Sequence, residues 1–572
     1  MHYENFGTAV YIPARVAASL TREKLESDYA FIEKYIGVDK VYLETHRDAL
    51  DVDKEQIVMI KSFLQYKGVS VSGGITTVLP DFEGAEKGKR RLFNTLCYTD
   101  PAMRDRVREI SEYAASLFDE VILDDFYFTN CTCERCIREK GDRDWATFRR
   151  ELMKDVSKNL IVGPAKAVNP GIRMIVKYPN WRESYHFTGY LPDDQQEIFD
   201  ATYIGTETRS PRYADQHLPE YLSYSLVRYL DHAWPGRNGG GWFDTYQCWS
   251  ADRYMEQAYL TAFARAKELM FFQWNDLIDN YFLGGMGIQL KKIDGLLSGV
   301  GEPTGIPVYI PYASNGENHL EMRLGMLGIP VDPTPVFPSD ARVMLLTESS
   351  ASDELVVSRL RDFVRAGGDA VITAGFLNET GKTLREIGLT EAEITGRRIG
   401  VTRYQITDDF AGYIDCEKPI QFPEIVHGNN MSWSLLNGGD GDFHTPLVLM
   451  STYGKGRLFV LNIPDNYADI YRIPCAAADA LKRVLSENEY ASGTDFSMFT
   501  YDDGSMIFYR YVKDDVKPSR IRVYTKSDVA ALRDAVTGET IKAQVIRLGW
   551  RHEYRVADVV LWPGVFRKLR WE

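Results

Sequence analysis

Short apolar stretches alternate with longer amphipathic segments along the first 300 residues. The short stretches are typical of buried strands, and the segments between them carry apolar residues at helical spacing, for example over residues 21–35 and 251–266. The predicted strands are residues 7–12, 38–43, 69–72, 120–123, 173–176, 201–204, 240–243 and 269–273. Eight strand–helix units in about 300 residues predict an α/β fold that begins with a (β/α)₈ TIM barrel, with a doubly wound open sheet as the alternative.

Polar residues follow nearly every one of these predicted strands. Barrel enzymes carry their chemistry at the carboxyl ends of the strands, so this pattern favours the barrel over the open sheet. The residues at these ends that suit catalysis or ligand binding are Glu44, His46, Arg47, Asp124, Asp125, Lys177, Trp181, Glu207, Asp244, Trp274, Asn275 and Asp276.

The pattern changes after a glycine-rich linker at residues 299–305. Short buried strands at 306–310, 342–347, 369–373 and 456–463, with helices at 353–365 and 468–485, predict a flavodoxin-like or amidotransferase-like α/β domain. No glycine-rich phosphate motif follows its first strand, which favours a structural or oligomerisation role. Alternating segments from about residue 495 predict a small antiparallel β-domain. We therefore predict domains at residues 1–300, 301–490 and 491–572.

Composition narrows the possible partners. A formal net charge of −14 and a pI near 5.3 argue against nucleic acid or an anionic membrane as a partner. The amino terminus has no basic segment followed by an apolar one, and no apolar run approaches the ~20 residues that span a bilayer, so we expect a cytoplasmic protein. Aromatic residues make up 12% of the chain, which suits sugar stacking, although large cores also account for such a content.

Three of the seven cysteines crowd into the segment that follows the fourth predicted strand. The spacing Cys131-x-Cys133-x-x-Cys136 suits a tetrahedral zinc ion, which needs four ligands in a structural site. Cys97 follows the third strand, and loops after neighbouring barrel strands are adjacent, so it can supply the fourth thiolate. The sequence thus predicts a structural zinc and no organic cofactor.

The segment from about residue 90 to 150 resembles family 42 glycoside hydrolases, β-galactosidases with a barrel and a trimerisation domain. The matching motifs are Cys97-Tyr98-Thr99-Asp100-Pro101, Leu123-Asp124-Asp125-Phe126-Tyr127, the C-x-C-x-x-C loop, and the helix that starts near Trp145-Ala146-Thr147-Phe148-Arg149. The resemblance implies a zinc held by Cys97, Cys131, Cys133 and Cys136, and a homotrimer. Elsewhere only the order of domains is similar.

One difference from that family concerns the catalytic acid. The family's fourth strand ends in Asp-Asn-Glu-Tyr, where the glutamate is the acid/base, and aligning the tyrosines puts Phe126 on that glutamate. Phenylalanine cannot transfer a proton. We therefore expect a relative from a different glycoside hydrolase family.

Glycoside hydrolysis normally needs two carboxyl groups that face one sugar. Adjacent strand residues point to opposite sides, so only one of Asp124 and Asp125 can face the barrel axis squarely, and Asp125 is nearer the loop. The chain is similar to retaining α-glycosidase barrels, which have an aspartate nucleophile after strand four and an acid/base after strand six. This similarity favours Asp125 as nucleophile, or as the base of an inverting enzyme, and Glu207 as acid/base, with Asp244 as the rival second carboxylate.

The remaining strand-end groups suit substrate binding. Trp181 and Trp274 are candidate stacking surfaces, and Glu44, His46, Arg47, Lys177 and Asn275 are candidate partners for sugar hydroxyls. We expect an exo-acting glycosidase, with α-linked substrates favoured. The alternatives are a β-glycosidase that uses Asp244 and a non-catalytic carbohydrate-binding or scaffold protein.

Overall fold

The structure is a computed structural model that describes residues 2–79, 92–407, 412–428, 430–486, 488–512, 516–548 and 552–572. The described chain divides into two compact units, residues 1–218 with 222–298 and residues 219–221 with 299–572. The predicted three-domain division, with its boundary at 490, stays a prediction.

The first unit is a closed barrel of eight parallel strands, counted over the described residues, and the barrel prediction is confirmed. In chain order the strands are β1 Gly7–Ile12, β2 Lys40–Arg47, β3 Ser70–Ile75, β4 Glu120–Leu123, β5 Arg173–Tyr178, β6 Ala201–Gly205, β7 Asn238–Asp244 and β8 Glu268–Phe272. Each strand pairs with the next, and β1 pairs with both β2 and β8, which closes the ring. Inward-pointing side chains such as Tyr42, Ile122 and Trp242 fill the interior, as expected of a packed barrel core.

Helices follow the strands. Their bounds are Ala14–Ser19, Arg22–Tyr35, Lys54–Tyr66, Pro101–Ala115, Glu134–Lys140, Trp145–Val156, Gly163–Val168, Tyr185–Thr188, Pro192–Gln195, Leu222–Ala233, Ala251–Phe263, Trp274–Asp279 and Leu283–Leu297. Shorter helical turns cover Leu92–Asn94, Ser157–Val162 and Arg182–Ser184. The carboxylate of Asp100 caps Pro101–Ala115, and the Ser250 hydroxyl caps Ala251–Phe263, which fixes where the preceding loops end.

The second unit contains a mixed sheet. Its five parallel strands lie in the spatial order Val331–Thr334, Ile306–Tyr309, Val343–Leu346, Asp369–Thr373 and Gly456–Leu461. In chain order this is 2-1-3-4-5, the order of flavodoxin-like sheets. The helices are Leu320–Gly325, Val356–Ala366, Ala374–Glu386 and Cys475–Leu485, with helical turns at Glu348–Ser352 and Tyr467–Arg472. The amidotransferase-like designation stays a prediction.

Four antiparallel strands that the sequence pattern did not predict extend this sheet. They are Glu393–Ile406, Tyr413–Val426, Trp433–Gly439 and His444–Tyr453. In the first of them charged residues and glycines interrupt the alternation of apolar and polar positions, and its register with Tyr413–Val426 shifts twice. These interruptions hide the period of two on which strand prediction rests.

The carboxyl-terminal part of this unit is antiparallel, as predicted. Its strands are Glu489–Ser492, Phe496–Tyr501, Met506–Arg510, Ser519–Thr525, Ala531–Asp534, Thr540–Lys542, Gln544–Leu548, His552–Leu561 and Phe566–Trp571. They form two sheets, and side chains from both, such as Phe508 and Val523, share one core. Among the described helices of the whole chain, none is long and apolar enough to cross a membrane.

Candidate active site

A cavity of about 740 Å³ lies at the carboxyl ends of the barrel strands. Its volume is in the range of small-molecule binding sites, roughly 300–1,000 Å³. Seven of the predicted site residues line it, namely Arg47, Asp124, Asp125, Lys177, Trp181, Glu207 and Asp244. The strand-end residue Asp276 lines it too. The barrel therefore brings together, in one cavity, side chains that are up to 229 positions apart in the chain.

Lys177, at the end of β5, connects the candidate catalytic carboxylates. Its Nζ donates to Asp125 Oδ2 at 2.7 Å and to Glu207 Oε1 at 3.0 Å, and it lies 3.6 Å from Asp124 Oδ1. The side chain is 2% exposed, and Nζ sits 4.1 Å from the centroid of the Trp242 ring. A buried ammonium thus compensates several carboxylates, an arrangement that holds them close together.

The carboxyl groups differ in their protonation. Burial raises the pKa of Asp125 to about 7, with Asp124 and Glu207 adding to the effect and Lys177 opposing it. Burial also raises the pKa of Glu207, again against Lys177. For Asp124 the burial effect is outweighed by Lys177 and Arg47, so its pKa lies below its usual value. A carboxyl group with a pKa near neutral pH can transfer a proton, or can act as a nucleophile when it is ionised.

Glu207 is held against the backbone of its own strand. A Cβ at position 205 would collide with Glu207 Oε2, so the close approach requires Gly205. Oε2 is buried and has no hydrogen-bond partner among the described residues. A buried carboxyl oxygen without a partner favours the neutral, protonated form.

Asp124 and Glu44 belong to a network beneath the cavity. Arg47 donates to both Glu44 oxygens, at 3.1 and 3.0 Å, and through Nη2 to Asp124 Oδ2 at 2.7 Å. Thr76 donates to both acids, and Asp124 Oδ1 accepts the backbone N–H of Asp125 at 2.7 Å. Tyr11 also donates to Glu44, which is fully buried. These contacts tie the ends of β2, β3 and β4 together and fix the backbone that carries Asp125.

Asp244, at the end of β7, is paired with Arg209. The guanidinium donates to both carboxylate oxygens, at 3.1 and 2.8 Å, and its Nη1 reaches Gln216 at 3.3 Å. Bidentate arginine pairs of this kind fix the orientation of both side chains.

Four predicted substrate-binding residues do not line the cavity. Glu44 belongs to the buried network beneath it, and His46 is fully buried, with Nδ1 2.8 Å from Asp51 Oδ1. Trp274 is also fully buried and donates from Nε1 to Asp28 Oδ2 at 3.3 Å, and Asn275 donates to Asp276 at 3.0 Å. The structure thus places these four side chains outside the cavity lining, in contacts with other protein groups.

The cavity also contains residues that the sequence analysis missed. They are Phe93, Phe126, Phe128, Asn130, Asn180, Ser184, Thr188, Arg209, Asp215, Gln216, Trp242, Tyr246, Phe272 and Gln273. Asn180, Arg209 and Tyr246 lie within a few residues of predicted strand ends, so reading further into each loop was the available signal. Trp242 lies inside β7, and only the inward side of that strand identifies it.

The four predicted metal ligands come together beside the loop after β4. The Sγ atoms of Cys97, Cys131, Cys133 and Cys136 lie within 4.8 Å of one another, and all four thiols are free. Cys97 Sγ is 3.6 Å from both Cys133 Sγ and Cys136 Sγ. A tetrahedral ion with Zn–S bonds of ~2.3 Å puts its sulfurs about 3.8 Å apart, so this group has the dimensions of a metal site.

Comparison with known proteins supports the interpretation of the barrel. Residues 1–285 match the family model described as "Probable glycosyl hydrolase, catalytic domain", and residues 301–466 match that of the second domain of uncharacterized protein SSO3021. That protein, from Saccharolobus solfataricus, is 26% identical over 509 residues, which cover 80% of this chain and 82% of the relative. The family match to the barrel supports a glycosidase.

Solved structures show the same fold along the whole chain. Alpha-L-fucosidase isoenzyme 2 from Paenibacillus thiaminolyticus is 12% identical with a TM-score of 0.69 and covers 99% of both chains. A catalytic mutant of Gan42B, a GH42 beta-galactosidase from G. stearothermophilus, is 12% identical with a TM-score of 0.64, covering 100% of this chain and 99% of that one. The beta-galactosidase from Bacillus circulans sp. alkalophilus is 12% identical with a TM-score of 0.63 over 100% of both chains. The fold is therefore that of the GH42 enzymes.

Proposed function

We propose that this protein is an exo-acting glycoside hydrolase in which Asp125 is the nucleophile and Glu207 the acid/base. The observation that carries the proposal is the bridge that Lys177 makes between these two carboxyl groups at the carboxyl face of the barrel. Both groups line the cavity, and both have raised pKa values. Two carboxyl groups that face one cavity are what glycoside hydrolysis requires.

The surroundings of the two groups support this division of roles. Glu207 is almost completely buried and keeps one oxygen without a partner, which suits a neutral proton donor. Asp125 has a side chain 21% exposed to the cavity, and the Lys177 ammonium, 2.7 Å away, opposes the burial that raises its pKa. In this assignment Glu207 protonates the leaving oxygen while Asp125 attacks the anomeric carbon. Glu207 then accepts a proton from the water that releases the sugar.

The separation of the two groups favours a retaining mechanism. Asp125 Oδ2 and Glu207 Oε1 each lie within 3.0 Å of the same nitrogen, so the two oxygens are closer than twice that distance. Carboxyl groups are about 5–5.5 Å apart in retaining enzymes and about 6.5–9.5 Å apart in inverting ones. An inverting reaction, with Asp125 as base for water, is the alternative outcome for the same pair.

Asp244 is the rival second carboxylate, and its contacts argue against that role. Both of its oxygens accept from Arg209, so a proton on Asp244 would break a bidentate ion pair. We assign it to positioning Arg209 beside the cavity. The partly exposed aromatic side chains of the cavity, Trp181 and Phe126 among them, provide apolar surface for a sugar ring.

The test is hydrolysis of a panel of α- and β-linked aryl glycosides, uronides included, by the wild type and by Asp125→Asn. We expect turnover of one α-linked member and loss of that turnover in the variant, with ligand affinity retained. Asp276→Asn is the matched control, since Asp276 lines the same cavity without contacting Lys177 in the described structure. Turnover restricted to β-linked members would move the catalytic pair toward Asp244. An active Asp125→Asn would refute the assignment, and no turnover of any member would favour a carbohydrate-binding protein.

We also propose that the four thiolates hold a structural zinc ion. Four cysteine ligands close the coordination sphere and leave no position for a reacting water, so the ion would stabilise the loop after β4 without taking part in the chemistry. Metal analysis of protein purified without added zinc should find about one zinc per chain.

The resemblance to family 42 enzymes is the basis for a further expectation, a homotrimer. Light scattering at micromolar concentration tests it, and a monomer would contradict it.

A further inference from the structure

Three aromatic side chains stand exposed on the loops that follow β6 and β7. Tyr246 is 58% exposed, Trp249 75% and Tyr213 59%. The rings of Tyr213 and Trp249 meet edge to face, with centroids 6.1 Å apart. Single exposed aromatic rings are normal on a folded surface, whereas clustered ones are typical of binding sites.

These rings are continuous with the candidate active site. Tyr246 lines the cavity, and the Arg209 guanidinium lies 5.0 Å from its ring centroid. Asp215, which also lines the cavity, accepts from Gln247 Nε2 at 2.9 Å, and its backbone N–H donates to Gln247 Oε1 at 3.0 Å. This pair of hydrogen bonds joins the two loops, so Tyr213 and Trp249 are held at the rim of the same cavity.

The backbone also holds the tryptophan in place. Gln247 and Trp249 have φ angles of 52° and 48°, in the left-handed region that residues other than glycine rarely adopt. The next residue, Ser250, caps the helix Ala251–Phe263 through its hydroxyl. Such conformations persist where the surrounding structure fixes them, and they concentrate at ligand sites. The loop thus presents the Trp249 ring to solvent beside the cavity.

We infer that Tyr213, Tyr246 and Trp249 form an outer subsite that binds the sugar ring on the leaving-group side of the scissile bond. The inference rests on the proposed glycosidase function and narrows its substrate class to oligosaccharides or glycans with a second, neutral sugar. The apolar C–H face of a pyranose ring complements the electron-rich face of an aromatic ring. The cavity holds the terminal sugar against Asp125 and Glu207, and the next ring of the chain then reaches the rim, where these side chains lie.

The experiment compares two substrates that share the terminal sugar, a disaccharide and the corresponding glycosyl fluoride. Fluoride is a leaving group without a ring and cannot use an outer subsite. In Trp249→Ala and Tyr213→Ala we expect kcat/KM to fall about 10- to 100-fold for the disaccharide, mainly through KM, and less than about threefold for the fluoride. Tyr66→Ala is the control, because Tyr66 is 83% exposed at the end of the helix that precedes β3, on the opposite face of the barrel.

Each other outcome overturns the inference in a distinct way. Equal losses on both substrates would mean that the rings support the cavity itself, and unchanged values would mean that they bind no sugar. A lower oligomer mass of Trp249→Ala by light scattering would identify the rings as a contact between copies of the chain. If the wild type hydrolysed no member of the aryl glycoside panel, the proposed glycosidase function would fail, whereas turnover of the fluoride without turnover of the disaccharide would overturn the outer subsite alone.

Discussion

Replacing Lys177 by methionine tests the electrostatic arrangement on which the proposed chemistry depends. Methionine has a similar length and no charge, so it removes the ammonium that contacts Asp125 and Glu207. An opposite charge this close lowers a carboxyl pKa by about 1–3 units, and its removal raises the pKa by as much. Asp125 already has a pKa raised to about 7, so in the variant its pKa moves well above neutral.

The sign and size of the effect follow from this shift. A nucleophilic carboxyl group must be ionised, so kcat/KM rises as the pH rises through the pKa of Asp125. At pH 7 about half of the wild-type groups are ionised, and a rise of 1–3 units lowers kcat/KM roughly 5- to 500-fold. The loss should be recovered in part at higher pH, since more Asp125 is then ionised. The pKa of Glu207, which Lys177 also lowers, moves in the same direction and shifts the alkaline limb as well.

The assay is the pH profile of kcat/KM on one activated glycoside for the wild type, Lys177→Met and Lys177→Arg. The arginine variant keeps the positive charge and should keep the acidic limb near its wild-type position, with some loss of kcat from altered geometry. Circular dichroism and a thermal melt check that each variant folds. An acidic limb at the same pH in the methionine variant would show that Lys177 does not set the ionisation of Asp125, and the reasoning would be refuted.

Three further predictions concern other parts of the barrel. Glu207→Gln should lower kcat/KM about 10²- to 10⁴-fold on glycosides whose leaving group needs a proton, and much less on the glycosyl fluoride. Equal losses of kcat/KM on both substrates in steady-state assays would contradict the role of Glu207 as the acid. Cys133→Ser should lower the zinc content below one per chain and reduce the melting temperature, whereas unchanged metal by elemental analysis would place the ion elsewhere. Trp274→Ala should lower the free energy of unfolding by about 3–5 kcal/mol in denaturant titrations, because the Trp274 ring is fully buried. A change in KM with no loss of stability would instead indicate that Trp274 contacts the substrate.

The barrel was predictable because its signal repeats. Each strand–helix unit has its own local pattern of apolar and polar residues. The polar residues that follow the strands mark the one face of the barrel that carries an active site. The cluster of thiols was predictable for a related reason, since the spacing Cys131-x-Cys133-x-x-Cys136 alone places three of the four in one loop. The antiparallel extension of the second unit was not predicted, because Glu393–Ile406 lacks a clean alternation and its register with Tyr413–Val426 shifts twice.

Individual site residues were harder to predict than the face that carries them. Trp181 and Trp274 follow their strands in the same way, yet one lines the cavity and the other is buried against Asp28. The difference depends on how each loop turns after its strand, which a residue pattern does not encode. Arg209 was missed for the same reason, although it follows Glu207 by two positions.

Phe126 lines the cavity and packs edge to face against Phe93, with ring centroids 6.4 Å apart. It occupies the point where the resemblance to family 42 enzymes is strongest and where their acid would stand. The cysteine loop, which begins five residues later, has the spacing of a metal site, whereas the phenyl ring of Phe126 cannot donate a proton. Similarity in this loop therefore identifies chains that share the cysteine spacing. It does not predict which glycosidic bond each of them hydrolyses.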